Sequence, residues 1–390
     1  LPLASSLGAY YGDVVAHLGY RMFDEYKVMG LAPYGTPETY RDLFQHFYDL
    51  CDDGTIRVHF DRIDTTLFFL STPRRKGEDF TQVHMDIAAA LQESFERMLL
   101  HLVGHFQEKT GVKDLCLAGG AAHNCTSTGR LLYSGLFQRV FVQPAAHDAG
   151  TALGAALAVE RGEVKNREFS RLRNVFWGTE IRSEAVATEL ARWKDFVSFE
   201  RRDGDTVEVA ADLLAEGEVL GWVQGRSEFG PRALGSRSII ADPRPVENKT
   251  RINAMVKKRE GYRPFAPSVL EEKAWEYFEK PPTQADLSFM SYALRVREEK
   301  RSVLGAITHV DGSARVQTVS QGENPKYWDL ISAFERRTGV AMVLNTSFNN
   351  NFEPIVDSPE DAIVAYLTTK LDKLVIDDFI VRRKQVDDET

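Results

Sequence analysis

Asp114-Leu115-Cys116-Leu117-Ala118-Gly119-Gly120-Ala121-Ala122 is a short apolar run broken by a glycine pair, and its neighbours decide the fold class. The run predicts a buried strand over Asp114–Leu117 that carries Cys116, then a tight turn over Ala118–Ala122. Upstream, apolar residues from Met85 to Gln107 recur at helical spacing and predict a long amphipathic helix. Downstream follow a helix through Leu131-Leu132, a short strand at Val140–Val142 and an alanine-rich helix over Gly150–Glu160. Strands alternating with helices in this way predict an α/β domain with a mainly parallel sheet.

The chain of 390 residues is too long for one ordinary core. Arg161–Asn174 is charged and almost free of large apolar groups, so the boundary falls there, giving domains 1–172 and 173–390. Hydrophobic residues at 43% and charged residues at 27% describe a soluble globular protein. A net charge of −9 argues against a nucleic-acid coat or a membrane-surface binder, and no apolar run reaches transmembrane length. Cys51, Cys116 and Cys125 show no metal-ligand spacing and read as reduced thiols of a cytoplasmic protein.

The second domain predicts a helix over Val207–Glu216 and strands at Val219–Val223, Ile239-Ile240, Ala341–Leu344 and Leu374–Val381. A helix starts at Ser358-Pro359-Glu360-Asp361, with Ser as N-cap and an acid at the third helical position. Directly after Val219–Val223 comes a loop-like segment running from Gly225 to Ile239, with three arginines (Arg226, Arg232, Arg237) and three glycines. Glycine lets the backbone come close to a ligand, and arginine offers a fixed fork of donors. Interleaved with Pro, Phe and Leu, they predict a site for phosphate or a phosphate-like anion.

Further basic positions stand beside Gly, Pro or aromatic residues: Lys257-Lys258-Arg259, Arg263 in Tyr262–Pro267, and Arg315 after Gly312. Converging arginines can clamp a triphosphate and a second phosphate ester, and surface ion pairing is the competing reading. Asn345-Thr346-Ser347-Phe348-Asn349 offers short polar groups at a strand's end, either as ligand contacts or as a turn that ends the strand. Gly119-Gly120 alone is a weak nucleotide signal. Asp148, before the Gly150 helix, is compatible with a cap or with a divalent metal bound to phosphate. His101 and His105 share a helix face among apolar neighbours, which favours packing over metal binding. Asp24–Gly35 reads as a helix end or as ribose and phosphate contacts. No G-x-S-x-G, H-E-x-x-H or P-loop pattern supports a hydrolase.

Taken together, these strings resemble the NodU/CmcH family of O-carbamoyltransferases nearly end to end. The resemblance rests on Asp24–Gly35, Leu117–Cys125, Phe141–Gly154, Gly225–Pro243, Tyr262–Val269 and Asn345–Val356. It implies an α/β fold in which part of a TsaD-like domain of the actin-like ATPase superfamily precedes a YrdC-like domain. It also implies an ATP-dependent enzyme in which the second domain makes carbamoyl adenylate from carbamoyl phosphate and ATP. The first domain, holding a divalent metal (iron or magnesium), then passes the carbamoyl group to a small-molecule hydroxyl acceptor, as in antibiotic biosynthesis.

Carried over by resemblance, Arg232, Lys257 and Arg263 are the catalytic candidates. Arg315, Ser347, Asn349 and Arg226 are substrate contacts. Glu25, Lys27, Gly119 and Gly120 face the nucleotide, and Asp148 is a metal ligand. A homodimer is the family expectation. The family pattern also contains an N-terminal lobe with an H-x-x-x-H metal pair before Ser6-Leu7-Gly8, which this chain is expected to lack, and His147 replaces a usual glycine. Two alternatives therefore stand beside the transferase: a non-catalytic nucleotide- or carbamoyl-phosphate-binding remnant, and a tRNA threonylcarbamoyladenosine enzyme, which the acidic balance disfavours.

Overall fold

A computed structural model describes residues 5–163, 171–257, 260–350 and 353–384, which group into two compact units. The first unit is Leu1–Asp148 with the short returns Lys280–Asp286 and Ser291–Ala293. The second is Ala149–Glu279, Leu287–Met290 and Leu294–Thr390.

The first unit is organised by the helix Gln82–Thr110. Its start is fixed by a capping box between Thr81 and His84, and its end by Gly111 in the left-handed region. Ile87, Ala88, Leu91, Phe95 and Met98 form its buried stripe, against which Leu7–His17, Glu25–Leu31 and Arg41–Gln45 pack. Strand Asp114–Leu117 runs parallel to Arg139–Val142, which runs parallel to Gln284-Ala285. The expectation that Cys116 is buried fails: Asp114 and Cys116 are exposed. The strand lies at the edge of this three-stranded sheet, so the apolar run signals a strand without fixing how deeply it is covered. All three cysteines are free thiols.

The second unit is built on an eight-stranded mixed sheet. Its order is Gln317–Val319, Ala266–Leu270, Met342–Ser347, Arg237–Ala241, Leu220–Val223, Lys373–Ile376, Phe379–Arg383 and Val197–Arg201. The central strands are buried throughout, so their side chains are mostly apolar, with the few polar ones, such as Arg237, Ser238 and Ser268, fully buried. Helices Thr206–Ala215 and Pro325–Thr338 pack on one another, and Pro359–Thr368 lies along the sheet. Ser358 caps this last helix as expected: its Oγ accepts from the Asp361 N–H at 3.1 Å while Asp361 accepts from the Ser358 N–H at 3.0 Å.

Two readings need correction. The run Leu374–Val381 is not one strand but a hairpin, reversed at Asp377, whose φ of 51° lies in the left-handed region. Asp tolerates that conformation, and the turn hides inside an apolar run. The Gly225–Ile239 segment is not one open loop either. Arg226–Glu228 pairs antiparallel with Phe176–Glu180, and Arg237 opens a central strand. Among the described residues, no helix is long and apolar enough to cross a membrane.

Candidate functional site

Strand register brings the second unit's candidates to one end of the sheet. Val223 pairs with Arg237 and with Ile376, Ser238 pairs with Ser347, and Asn345 pairs with Ala266. Ser268 pairs with Gln317 across parallel strands, so both of those strands begin at this same end. Arg226 therefore follows one strand here, Arg232 precedes another, Arg263 and Arg315 lie just before two more, and Ser347 and Asn349 close a fifth. Lys257 ends a π-helical turn, Asn253–Lys257, and its side chain lies outside the described residues, as do Lys258 and Arg259.

A buried polar lattice holds the loop that carries Arg232. Asn345 Nδ2 donates to Ala233 O (3.2 Å), Ser268 Oγ (2.9 Å) and Gln317 Oε1 (3.0 Å). Gln317 Nε2 donates to Leu234 O at 2.8 Å. From the other side, Glu228 Oε1 accepts the N–H groups of Leu234 at 2.6 Å and Ser236 at 2.8 Å. Loss of water around the Glu228 carboxyl pushes its pKa up, against the pull of those two backbone donors. Gly235 completes the loop with φ of 102°, and a Cβ there would stand 2.2 Å from the Tyr327 ring. Asn345 Oδ1 itself is buried without a hydrogen-bond partner among the described residues, but the amide donors and the Glu228 carboxylate together hold the backbone of residues 233–236 in one geometry.

The arginines do not share one role. Arg237 is fully buried and donates to the carbonyls of Gln224 (2.9 Å), Ser236 (3.0 Å) and Thr179 (2.8 Å). It is a structural strut, and its place in the predicted anion cluster is withdrawn. Arg226 is exposed and lies 3.9 Å from Glu180, too long and too wet to hold it. Arg263 is mostly covered, with Glu260 at 3.6 Å. Ser347 Oγ donates to Asn349 Oδ1 at 2.6 Å, so these two act as one polar unit. The strand runs Met342–Ser347, three residues beyond the expected end at Leu344, and this places Asn345 inside the sheet and not in a turn.

In the first unit, the Gly119 N–H donates to Ala146 O at 2.7 Å, tying the glycine turn to the turn that carries Asp148. Nothing stands within 4 Å of a Cβ built on Gly119 or Gly120, so this backbone is open. The His123 and His147 rings meet edge to face there at 5.2 Å. Glu25 opens the helix Glu25–Leu31 and accepts from the Phe23 N–H at 3.2 Å, while Lys27 pairs with Asp24 at 2.8 Å. His101 Nε2 donates to Cys51 O at 3.0 Å, and His105 packs on Gly54, so both serve packing. Asp148 is exposed, and among the described residues no three His, Cys, Asp or Glu side chains gather as a metal site.

Sequence reading missed the polar lattices. Ser268 and Asn345 interrupt apolar strands and Gln317 opens one, and these polar positions were the available signal. In the first unit, Gln92 Nε2 likewise donates to Asn124 Oδ1 (3.1 Å), Ser127 Oγ (3.0 Å) and Glu96 Oε1 (2.9 Å) beneath the glycine turn's helix.

Comparison with known proteins gives the family. The carbamoyltransferase N-terminus model matches residues 1–157, and the carbamoyltransferase C-terminus model matches 211–383. The chain is 58% identical to nodulation protein NolO of Bradyrhizobium diazoefficiens over 386 residues, which covers 98% of this chain and 70% of that protein. It is 57% identical to nodulation protein NolNO of Sinorhizobium fredii over 391 residues, spanning 57% of that relative's length. It is 35% identical over 282 residues to the 3'-hydroxymethylcephem-O-carbamoyltransferase of Amycolatopsis lactamdurans, covering 72% of this chain and 51% of that protein. The chain belongs to the carbamoyltransferase family.

Proposed function

We propose that this chain is the adenylate-forming and transferring part of an ATP-dependent O-carbamoyltransferase. The observation that carries the reading is the gathering of Arg226, Arg232, Arg263, Arg315, Ser347 and Asn349 at one end of a single sheet, in a member of the carbamoyltransferase family. The second unit would be the YrdC-like half and the first the TsaD-like half.

The chemistry balances in three steps. Water attacks the carbonyl of carbamoyl phosphate, the C–O bond breaks and inorganic phosphate leaves, giving carbamate. A carbamate oxygen attacks the α-phosphorus of ATP, forming carbamoyl adenylate and expelling pyrophosphate. A hydroxyl oxygen of a small-molecule acceptor then attacks the carbamoyl carbon, losing its proton, and AMP leaves. Arg232, Lys257 and Arg263 would neutralise charge as it builds on the leaving groups, with Arg226, Arg315, Ser347 and Asn349 fixing the phosphates. In the first unit Glu25, Lys27 and the open Gly119-Gly120 backbone would hold the adenylate. The resemblance implies a divalent metal, iron or magnesium, with Asp148 as one ligand. The described residues do not complete such a ligand set, so no step is routed through it.

The test is pyrophosphate release from ATP and carbamoyl phosphate by the purified chain. Release that Arg232→Ala and Lys257→Ala both abolish is the expected result. A folded wild-type chain that releases none would overturn an autonomous adenylate site and leave a binding remnant.

A further inference from the structure

Strand Phe176–Glu180 and its partner Arg226–Glu228 form a small ribbon whose outer surface carries an aromatic pair unused so far. The Trp177 indole stacks on the Phe229 ring, with centroids 5.7 Å apart and planes inclined by 26°. Phe229 in turn packs on a buried cluster of Val175, Leu234, Ala266, Phe289 and Met290. Phe229 is thus a fixed backing, while Trp177 remains 42% exposed. A large, flat, preoriented indole at the surface, with one side already stacked, has nothing to gain from solvent.

The ribbon is fastened with unusual care for a surface element. Thr179 Oγ1 and Ser227 Oγ, one from each strand, donate to the two carboxylate oxygens of Asp357 at 2.6 and 2.7 Å. Buried Arg237 donates to Thr179 O at 2.8 Å and to Asp357 O at 3.2 Å. Gly178 lets the strands close up, since a Cβ there would stand 2.0 Å from Ser227 Oγ. These contacts fix the ribbon strand that carries Trp177, which directly precedes Gly178 and Thr179. Arg226 lies on the same ribbon, and Arg232 follows Phe229 by three residues.

We propose that Trp177, backed by Phe229, is the platform on which the base of ATP stacks while Arg226 and Arg232 engage its phosphates. This rests on the adenylate-forming reading of the sheet end and adds its base-recognising residue. Stacking on an aromatic face tolerates any base, so the platform confers affinity for nucleotides over bare polyphosphate and little choice among bases.

The experiment compares calorimetric binding of ATP and of inorganic tripolyphosphate to wild type, Trp177→Leu and Trp177→Phe. The expected result is a loss of about tenfold in ATP affinity for Trp177→Leu, with tripolyphosphate unchanged and Trp177→Phe close to wild type. Unchanged tripolyphosphate binding also shows that the variant is folded. ATP affinity unaffected in Trp177→Leu, or both ligands weakened equally, overturns the platform. If wild type releases pyrophosphate and Trp177→Leu does so with the same ATP dependence, the platform falls while the adenylate reading stands. Wild type that binds neither ligand overturns both.

Discussion

Arg237 Nε donates to the main-chain carbonyl of Asp357 at 3.2 Å, and Asp357 spends its carboxylate on the hydroxyls of Ser227 and Thr179. One buried guanidinium therefore locks the chain beyond the strand Met342–Ser347 to the ribbon and to the centre of the sheet. Burial presses the Arg237 pKa down, while Glu228 and Asp357 hold its charge in place. Arg237→Met should cost about 3–5 kcal/mol, because it strands several carbonyls without a donor. Arg232→Ala should cost about 1 kcal/mol or less yet remove pyrophosphate release. Urea unfolding and the release assay on both variants separate the two roles. Equal stability losses would mean that the arginines were sorted wrongly.

Asn345→Asp tests the lattice that shapes the Arg232 loop. The substitution turns a donor into an oxygen facing three oxygen acceptors, Ala233 O, Ser268 Oγ and Gln317 Oε1. A loss of about 3 kcal/mol is expected. At a temperature where the variant is still folded, its KM for the phosphate substrates should rise more than kcat falls. Unfolding at wild-type denaturant concentration would show that the lattice carries no load.

Gly235→Ala tests the same loop through its backbone. The φ of 102° is strained for any L side chain, and the added methyl meets the Tyr327 ring at 2.2 Å. Strain and overpacking together should cost about 2–5 kcal/mol. A thermal scan within a degree of wild type would refute that loop geometry.

Most strands and helices were legible because their apolar periodicity is strong and their ends are marked, as Ser358 and Gly111 show. The sheet end was legible too, since glycine and arginine cluster where strands stop. The role of each arginine was not. Arg237 and Arg232 look alike as letters, and only pairing of Arg237 with Val223 in the sheet centre makes one of them a strut. The hairpin at Asp377 was hidden because a two-acid turn inside an apolar run leaves hydrophobic patterning almost unbroken. The exposure of Cys116 depends on what covers an edge strand, which periodicity does not encode. Trp177 escaped because an aromatic beside Val175 and Phe176 reads as core until its stacking partner is seen.

Glu228→Gln isolates the charge held against the Arg232 loop. Its Oε1 accepts from Leu234 N–H and Ser236 N–H, and a glutamine oxygen can accept both, so the geometry survives. The folded-state pKa is raised, chiefly by loss of water around the carboxyl. Below the unfolded carboxylate value, about 4.3, both states of wild type are protonated and the group adds no pH dependence. As pH rises from there, the unfolded chain ionises first, so wild type loses stability until the folded pKa is passed and the penalty levels off. Glutamine carries no such penalty. The stability of Glu228→Gln relative to wild type should therefore be lowest near pH 4 and should climb with pH to a plateau. Denaturant midpoints taken from pH 4 to pH 8 trace this difference. A difference that falls with pH would mean that the backbone donors and Arg237 outweigh desolvation, and that the loop is held by a carboxylate favoured in its charged form.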